Sequence, residues 1–227
     1  MSEVVIRPLD WQRDYLRAVS VLRELWFDDG NSAIVNEMGA RNFFLHYALQ
    51  GTTMLVACDK DSDEFLGCMI LTNKKDTPLL WRSRCQGRKL LRQEKLAMGM
   101  LYLWPGAQIY RLFNGRFFDN YVKLRKMLPL NEYGSMPEML LLIVSNKAQG
   151  KGVGRRLMQA AEASLKEQGF ASYYLLTDSS CNYKFYDIMQ MTKVVDVAMN
   201  FGIGHVPQYR HPLNYFLRGL IYRQDLR

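Results

Sequence analysis

The residues best placed to bind a phosphate lie in one glycine-rich segment, between a short apolar run and a helical pattern. The apolar run, Met139 to Ser145, has turn signals at both ends, which is typical of a buried strand. The segment Gln149-Gly150-Lys151-Gly152-Val153-Gly154 follows. Apolar residues then recur every four positions, at Val153, Leu157, Ala161 and Leu165, and Gly169 ends the pattern. A strand, a glycine-rich turn and a helix start together present backbone N–H groups to an anion, usually a phosphate.

Two common phosphate-binding loops do not fit this segment. A Walker loop needs Ser or Thr after its lysine, and here Gly152 follows Lys151. A dinucleotide fingerprint needs a third small residue three positions after its second glycine, where this chain has Arg155 or Leu157. A β–α turn without a ligand is the alternative to a third kind of phosphate site.

The segment resembles the acyl-CoA signature Q/R-x-x-G-x-G/A of the GCN5-related N-acetyltransferase (GNAT) family, and it is complete at every fixed position. The resemblance implies an α/β fold, in which helices flank a mixed, V-splayed β-sheet, and acetyl-CoA as the co-substrate. It also implies the residues that bind the cofactor: Leu142, Ile143, Val144, Gln149, Gly150, Lys151, Gly152, Val153, Gly154, Arg155 and Asn182.

Acyl transfer to an amine needs a general base, because an ammonium cannot attack a thioester until it loses a proton. Glu138 lies eleven residues before Gln149, and the catalytic glutamate of the histone-acetylating branch of the family has the same offset. By this resemblance Glu138 is the candidate base; a solvated glutamate at the end of a strand is the alternative. The family also implies that a backbone N–H, of Ile143 or Val144, stabilises the tetrahedral intermediate.

The departing thiolate of CoA needs a proton, which a tyrosine supplies in this family. Phe185-Tyr186 matches the F-Y pair of the family pattern N-x-x-A-x-x-F-Y-x-x-x-G-F, so Tyr186 is the candidate acid. Asn182 precedes the tyrosine by four residues rather than seven, and Gln190-Met191 replaces G-F. Since four residues make one helical turn, we expect Asn182 and Tyr186 to share a face toward the cofactor. Packing in the core is the alternative role for Tyr186.

The elements that must position these residues follow from periodicity and turn signals. Residues 2–10 are predicted to form a strand, 11–27 and 36–49 helices, and 52–59 and 64–73 a β-hairpin. Residues 171–177, 192–199 and 214–222 are predicted strands. The order β–α–α–β–β at the start is the order that the family resemblance implies. We expect residues 1–227 to form a single acetyltransferase domain.

Residues 74–133 form an insertion that the family pattern does not contain, with predicted helices over 84–103 and 117–128. The insertion holds 13 basic and 4 acidic residues, a net charge of +9, whereas the whole chain carries +8. This charge is either a solvated helical face or an electropositive lid that steers an anionic cofactor or an acidic substrate inward. Its aromatic residues favour a helical core or a pocket wall over a nucleic-acid surface.

Composition limits the remaining choices. The four cysteines form no C-x-x-C pair, so we expect reduced thiols and no metal site. No run of 18 apolar residues and no signal-peptide pattern is present, which predicts a cytoplasmic protein without a membrane span. The predicted partners are acetyl-CoA and a small-molecule amine, and nucleic acid is not expected. A protein or peptide acceptor, a non-catalytic acyl-CoA-binding module, and a homodimer stay open.

Overall fold

The computed structural model describes residues 3–27, 32–103, 108–200 and 216–226. Its strands are β1 (Val4–Pro8), β2 (Thr53–Asp59), β3 (Phe65–Thr72), β4 (Glu138–Val144), β5 (Ser172–Asp178), β6 (Thr192–Asn200) and β7 (Phe216–Asp225). Its helices are α1 (Trp11–Trp26), α2 (Ala33–Ala48), α3 (Arg84–Leu103), α4 (Gln108–Arg125), α5 (Leu130–Tyr133), α6 (Val153–Glu167) and α7 (Lys184–Ile188).

The seven strands form one mixed sheet in the order β1-β2-β3-β4-β5-β7-β6. Every neighbouring pair is antiparallel except β4 and β5, which run parallel. The parallel pair requires a crossover, and α6 supplies it. The predicted α/β fold with a mixed sheet is therefore confirmed.

Strands β4 and β5 separate soon after they meet. They pair only at Glu138 with Tyr174 and at Met139 with Leu175. On its other edge β4 pairs with β3 along its length, with one irregularity, because Ile70 faces Leu141 and Leu71 faces Met139. Leu140 is thus the extra residue of a bulge, which bends a strand locally. The predicted V-shaped splay lies between β4 and β5 beyond this bulge.

Helices cover both faces of the sheet. The stripe of α6 that the four-residue spacing predicted is buried against β2, β3 and β5, with Leu157 fully buried. On the opposite face, α1 and α2 pack on Val56, Ile70 and Ile143. The Asp10 side chain accepts from two backbone N–H groups at the start of α1, and the Ser32 hydroxyl accepts one at the start of α2. This cap is why α2 starts at Ala33, three residues before the predicted start.

The helical segment 74–133 lies on the same face as α1 and α2. Helix α3 has the predicted bounds and packs on α2 through Leu90 and Ala97. Helix α4 packs over β5 and β7, where its fully buried Leu124 joins Tyr174 and Ile221 in a third core cluster. Its predicted start at residue 117 was wrong, because α4 continues through Gly115, whose cost inside a helix, about 1 kcal/mol, the flanking turns offset. The predicted break at 104–106 lies outside the described residues.

Candidate active site

The start of α6 is built to receive an anion. Gly150 and Gly152 have φ angles of 74° and 76°, in the left-handed region that favours glycine. Gly152 is the N-cap of α6 and has no side chain to cap the helix. The backbone N–H groups of Val153, Gly154 and Arg155 make no hydrogen bond within the described chain. Three free donors at the positive end of a helix dipole are therefore open to a ligand.

Two other predicted cofactor residues are also exposed in this turn. Lys151 lies at its tip, and the Gln149 amide donates to Asn146 Oδ1 at 3.0 Å. Gly154 has a packing role as well, since a Cβ built there would lie 3.3 Å from the Phe185 ring and 3.7 Å from Val144. A bulky residue at 154 would thus meet Phe185, so it would test the fold together with the ligand site.

The backbone of β4 offers further free donors beyond the bulge. Ser145 donates its N–H to Leu66 of the β3 side at 2.9 Å. Because neighbouring residues of an antiparallel strand turn their N–H groups to opposite edges, Ile143 also faces β3, whereas Leu142 and Val144 face the splay. Of the two donors predicted for the tetrahedral intermediate, Val144 therefore faces the gap. The prediction for the Ile143 N–H was wrong, because β3 already uses that edge.

Glu138, the candidate base, is buried and held by a guanidinium. Its carboxylate is 3% exposed and accepts from Arg125 Nη2 at 2.5 Å and from Arg125 Nε at 3.1 Å. The Tyr174 hydroxyl donates to Oε2 at 2.9 Å, and Lys74 Nζ donates to that hydroxyl at 2.9 Å. Burial lowers the pKa of Lys74 and raises that of Tyr174. The alternative of a solvated glutamate is excluded, but the carboxylate must give up a hydrogen bond to take a proton.

Tyr186, the candidate acid, lies on α7 against the rings of Phe185 and Tyr222, whose centroids are 5.4 and 5.5 Å away. Burial raises the pKa of Tyr186, so the phenol stays protonated at neutral pH. Its hydroxyl makes no hydrogen bond within the described chain and is free to donate to a ligand. Asn182 lies before α7 rather than on it, so the prediction of a shared helical face was wrong. Its side chain is exposed, and its carbonyl accepts from the Phe185 N–H at 3.1 Å.

A second buried carboxylate, which the sequence reasoning missed, ends β5. Asp178 is 1% exposed. Its Oδ1 accepts from the Ser180 N–H at 2.8 Å and from the Ser180 hydroxyl at 2.5 Å, and its Oδ2 accepts from the Tyr121 hydroxyl at 2.9 Å. Tyr121 comes from α4, and burial followed by the charge of Asp178 raises its pKa. The signal was available, because Asp178 stands at the carboxyl end of a parallel strand, where open α/β sheets bind ligands.

The side chains around Glu138 and Asp178 share one face of the sheet. Burial, and then the charge of Glu138, raises the pKa of Tyr47 on α2, and Asp178 acts in the same direction. Tyr47 therefore lies within the electric field of both carboxylates. Rings from α2 and α4 continue this wall, in which Phe117 stacks on Tyr121 at 4.4 Å. The wall consists of Phe43, Tyr47, Phe117, Phe118 and Tyr121.

The comparisons with known proteins agree with this geometry. The model of the acetyltransferase (GNAT) family matches residues 121–188, from α4 through α7. Comparison with curated proteins gave no match. The match confirms the resemblance to the family and the assignment to the acyltransferases. Among the residues described, no helix combines the length and the apolar character that crossing a membrane requires.

Solved structures show the same fold over the whole chain. An N-acetyltransferase from Staphylococcus aureus Mu50 is 12% identical, with a TM-score of 0.52 and full coverage of both chains. A mosquito arylalkylamine N-acetyltransferase like 5b is 15% identical, with a TM-score of 0.50, 99% of this chain and 100% of that one covered. The C-terminal condensation domain of Ebony, in complex with beta-alanyl-dopamine, is 10% identical, with a TM-score of 0.57 and the same coverage. At these identities the likeness shows the fold.

Proposed function

Because this chain carries a GNAT acetyltransferase domain, we propose that it transfers the acetyl group of acetyl-CoA to the primary amine of a small molecule. One observation carries the proposal. The free N–H groups at the start of α6 and those of Leu142 and Val144 lie at the two ends of a continuous segment, β4–turn–α6, that borders the splay. The first set fits a pyrophosphate, and the second fits the amides and the thioester of an extended acyl-CoA arm.

The proposed reaction is a direct attack of the amine on the thioester carbonyl. The Val144 N–H faces the gap and can donate to the oxygen on which negative charge develops. As the carbon–sulfur bond breaks, the Tyr186 hydroxyl protonates the thiolate. Glu138 is the candidate for accepting a proton from the ammonium, directly or through a water, provided that Arg125 releases part of its bond.

The insertion favours a small acceptor over a peptide. Helix α4 covers the end of β5 next to the splay and fixes two side chains there, Tyr121 on Asp178 and Arg125 on Glu138. A peptide acceptor would need an open groove along this face. The titles of two structural neighbours name an arylalkylamine N-acetyltransferase-like protein and beta-alanyl-dopamine, so arylalkylamines are the first acceptors to test.

The test is a panel of acceptors with acetyl-CoA, followed by thiol release. It contains 2-phenylethylamine, spermidine, glycine and a peptide with a free N-terminus, and calorimetric titration of CoA into the same protein runs beside it. We expect CoA binding and turnover of the arylalkylamine. Turnover of the peptide alone would move the acceptor class to proteins. CoA binding without turnover of any acceptor would support a binding module, and loss of both would refute the proposal.

A further inference from the structure

Three carboxylates are almost completely buried in the described part of the chain: Asp14, Glu138 and Asp178. The first two each face an arginine. Arg7 donates to both oxygens of Asp14, at 2.6 and 2.8 Å, and Arg125 donates to both oxygens of Glu138. In this protein a buried carboxylate therefore normally comes with a cation, as the cost of removing a charge from water requires.

Asp178 breaks this rule. At 1% exposure its donors are two hydroxyls and one backbone N–H, all of them neutral. No lysine, arginine or histidine among the described residues pairs with it. An ionised carboxylate offers about four acceptor positions, and Tyr121 uses only one of the two on Oδ2. The site thus has the geometry of a cation site in which the protein supplies the anion alone.

The position of Asp178 indicates which cation belongs there. Met139 of β4 faces Leu175 of β5, so counting three residues further along both strands sets Leu142 against Asp178 across the splay. The Leu142 N–H faces the same gap. A cation at Asp178 would therefore lie beside the place where the thioester is expected.

We propose that Asp178 binds the acceptor as an ammonium ion, with Tyr121 fixing the orientation of the carboxylate. This inference rests on the proposed function and assigns its acceptor subsite. The neighbouring wall of aromatic rings selects an apolar or aromatic body behind the amine. Two carboxylates on this face disfavour acceptors that carry a carboxylate next to the amine. The substrate class is therefore an arylalkylamine without an acidic group, and an amino acid is excluded.

The kinetic test replaces Asp178 by asparagine, which keeps the shape and removes the charge. With 2-phenylethylamine we expect kcat/KM to fall roughly 30-fold or more, mainly through KM, as for the loss of one partner of a buried charge pair. Calorimetric affinity for CoA should stay within about twofold, since the start of α6 is unchanged. Ser180→Ala is the matched control: it removes a neutral hydrogen bond from the same carboxylate and should change kcat/KM by less than about tenfold. 2,2,2-Trifluoroethylamine, largely neutral at neutral pH, should lose much less than 2-phenylethylamine in Asp178→Asn.

The stability of the variants separates this role from a purely structural one. An uncompensated buried charge opposes folding, so Asp178→Asn should leave Tm unchanged or raise it when no amine is present. Asp14→Asn, at a carboxylate with an arginine partner, should lower Tm. A clear fall of Tm in Asp178→Asn would show that the protein already supplies the cation and would overturn the inference. Equal losses for both amines, or unchanged kinetics, would also overturn it. If wild-type protein binds CoA but turns over neither amine, the subsite is refuted while the CoA site stands; absence of CoA binding refutes the proposed function itself.

Discussion

The ion pair between Glu138 and Arg125 allows the roles of base and structural anchor to be separated. Glu138→Gln removes the charge of the candidate base and leaves Arg125 with a neutral partner. Breaking a buried ion pair by removing one partner costs about 3–5 kcal/mol. The Arg125 side chain is 36% exposed, so water compensates in part and about 2–3 kcal/mol is expected.

The expected change in Tm follows from the size of the protein. A domain of 150–250 residues loses about 2–4 °C per kcal/mol, so Glu138→Gln should melt roughly 4–12 °C below the wild type. If Glu138 is also the base, turnover at saturating acetyl-CoA should fall by roughly 10²–10⁴, and the acidic limb of the pH–rate profile should disappear.

The double variant Glu138→Gln/Arg125→Met decides between the two roles. Replacing both partners of a buried ion pair is often nearly neutral, so Tm should recover most of the loss. A base cannot be restored in this way, so turnover should stay as low as in the single variant. Tyr174→Phe, which removes one neutral donor from Glu138, is the control and should cost only about 1 kcal/mol.

Two results would refute this reasoning. If turnover recovers together with Tm in the double variant, Glu138 positions Arg125 and the base is another residue. If Glu138→Gln retains both its Tm and its activity, the ion pair contributes neither stability nor chemistry. Thermal melting and thiol release on the same preparations supply both measurements, and the double-mutant cycle gives the coupling energy of the pair.

Three further predictions concern the rest of the site. Tyr186→Phe should lower turnover by about 10²-fold with CoA affinity unchanged; because burial raises the pKa of Tyr186, the basic limb of the wild-type pH–rate profile should lie above pH ~10, and a limb below that value would exclude Tyr186 as the acid. Lys151→Glu should weaken CoA binding at least about tenfold by calorimetry, whereas Lys166→Glu, the same charge change at the other end of α6, should not; equal effects would remove the phosphate site from the start of α6. Replacing three arginines of α3 with glutamine should slow acetyl-CoA capture at low salt and flatten its salt dependence if the helix steers the cofactor, and unchanged rates would make it a solvated face: Arg84, Arg88 and Arg92.

The parts of the site that are contiguous in sequence could be predicted from it. The strand, the glycine-rich turn and α6 were correct because a buried strand, two glycines with positive φ and a four-residue apolar spacing are each local signals. The splay followed from the family resemblance, and the bulge at Leu140 gives its physical cause. Local signals also gave both ends of α3.

The parts that depend on tertiary pairing could not be predicted. Nothing in the sequence shows that Arg125, thirteen residues before Glu138 and on another element, pairs with it. The direction of the Ile143 N–H depends on the register with β3, which a bulge shifts. Asn182 was placed on the helix of Tyr186 by spacing alone, although that helix begins only at Lys184. In each case a residue type was correct for its chemistry, while its partner was decided by a strand or helix distant in sequence.

The charge of the insertion divides into two groups that act in different places. Arg125 and Lys74 point inward and hydrogen-bond the buried network of Glu138 and Tyr174. The cations of α3 are exposed and form no ion pair among the described residues: Arg84, Arg88, Lys89, Arg92 and Lys95. Helix α3 packs on α2 and α4 and makes no extensive contact with the sheet, so its charge lies one layer away from the splay. The insertion therefore shapes the acceptor side through the inward-facing residues of α4, and any influence of its net charge on the reaction must act at long range, where salt screens it.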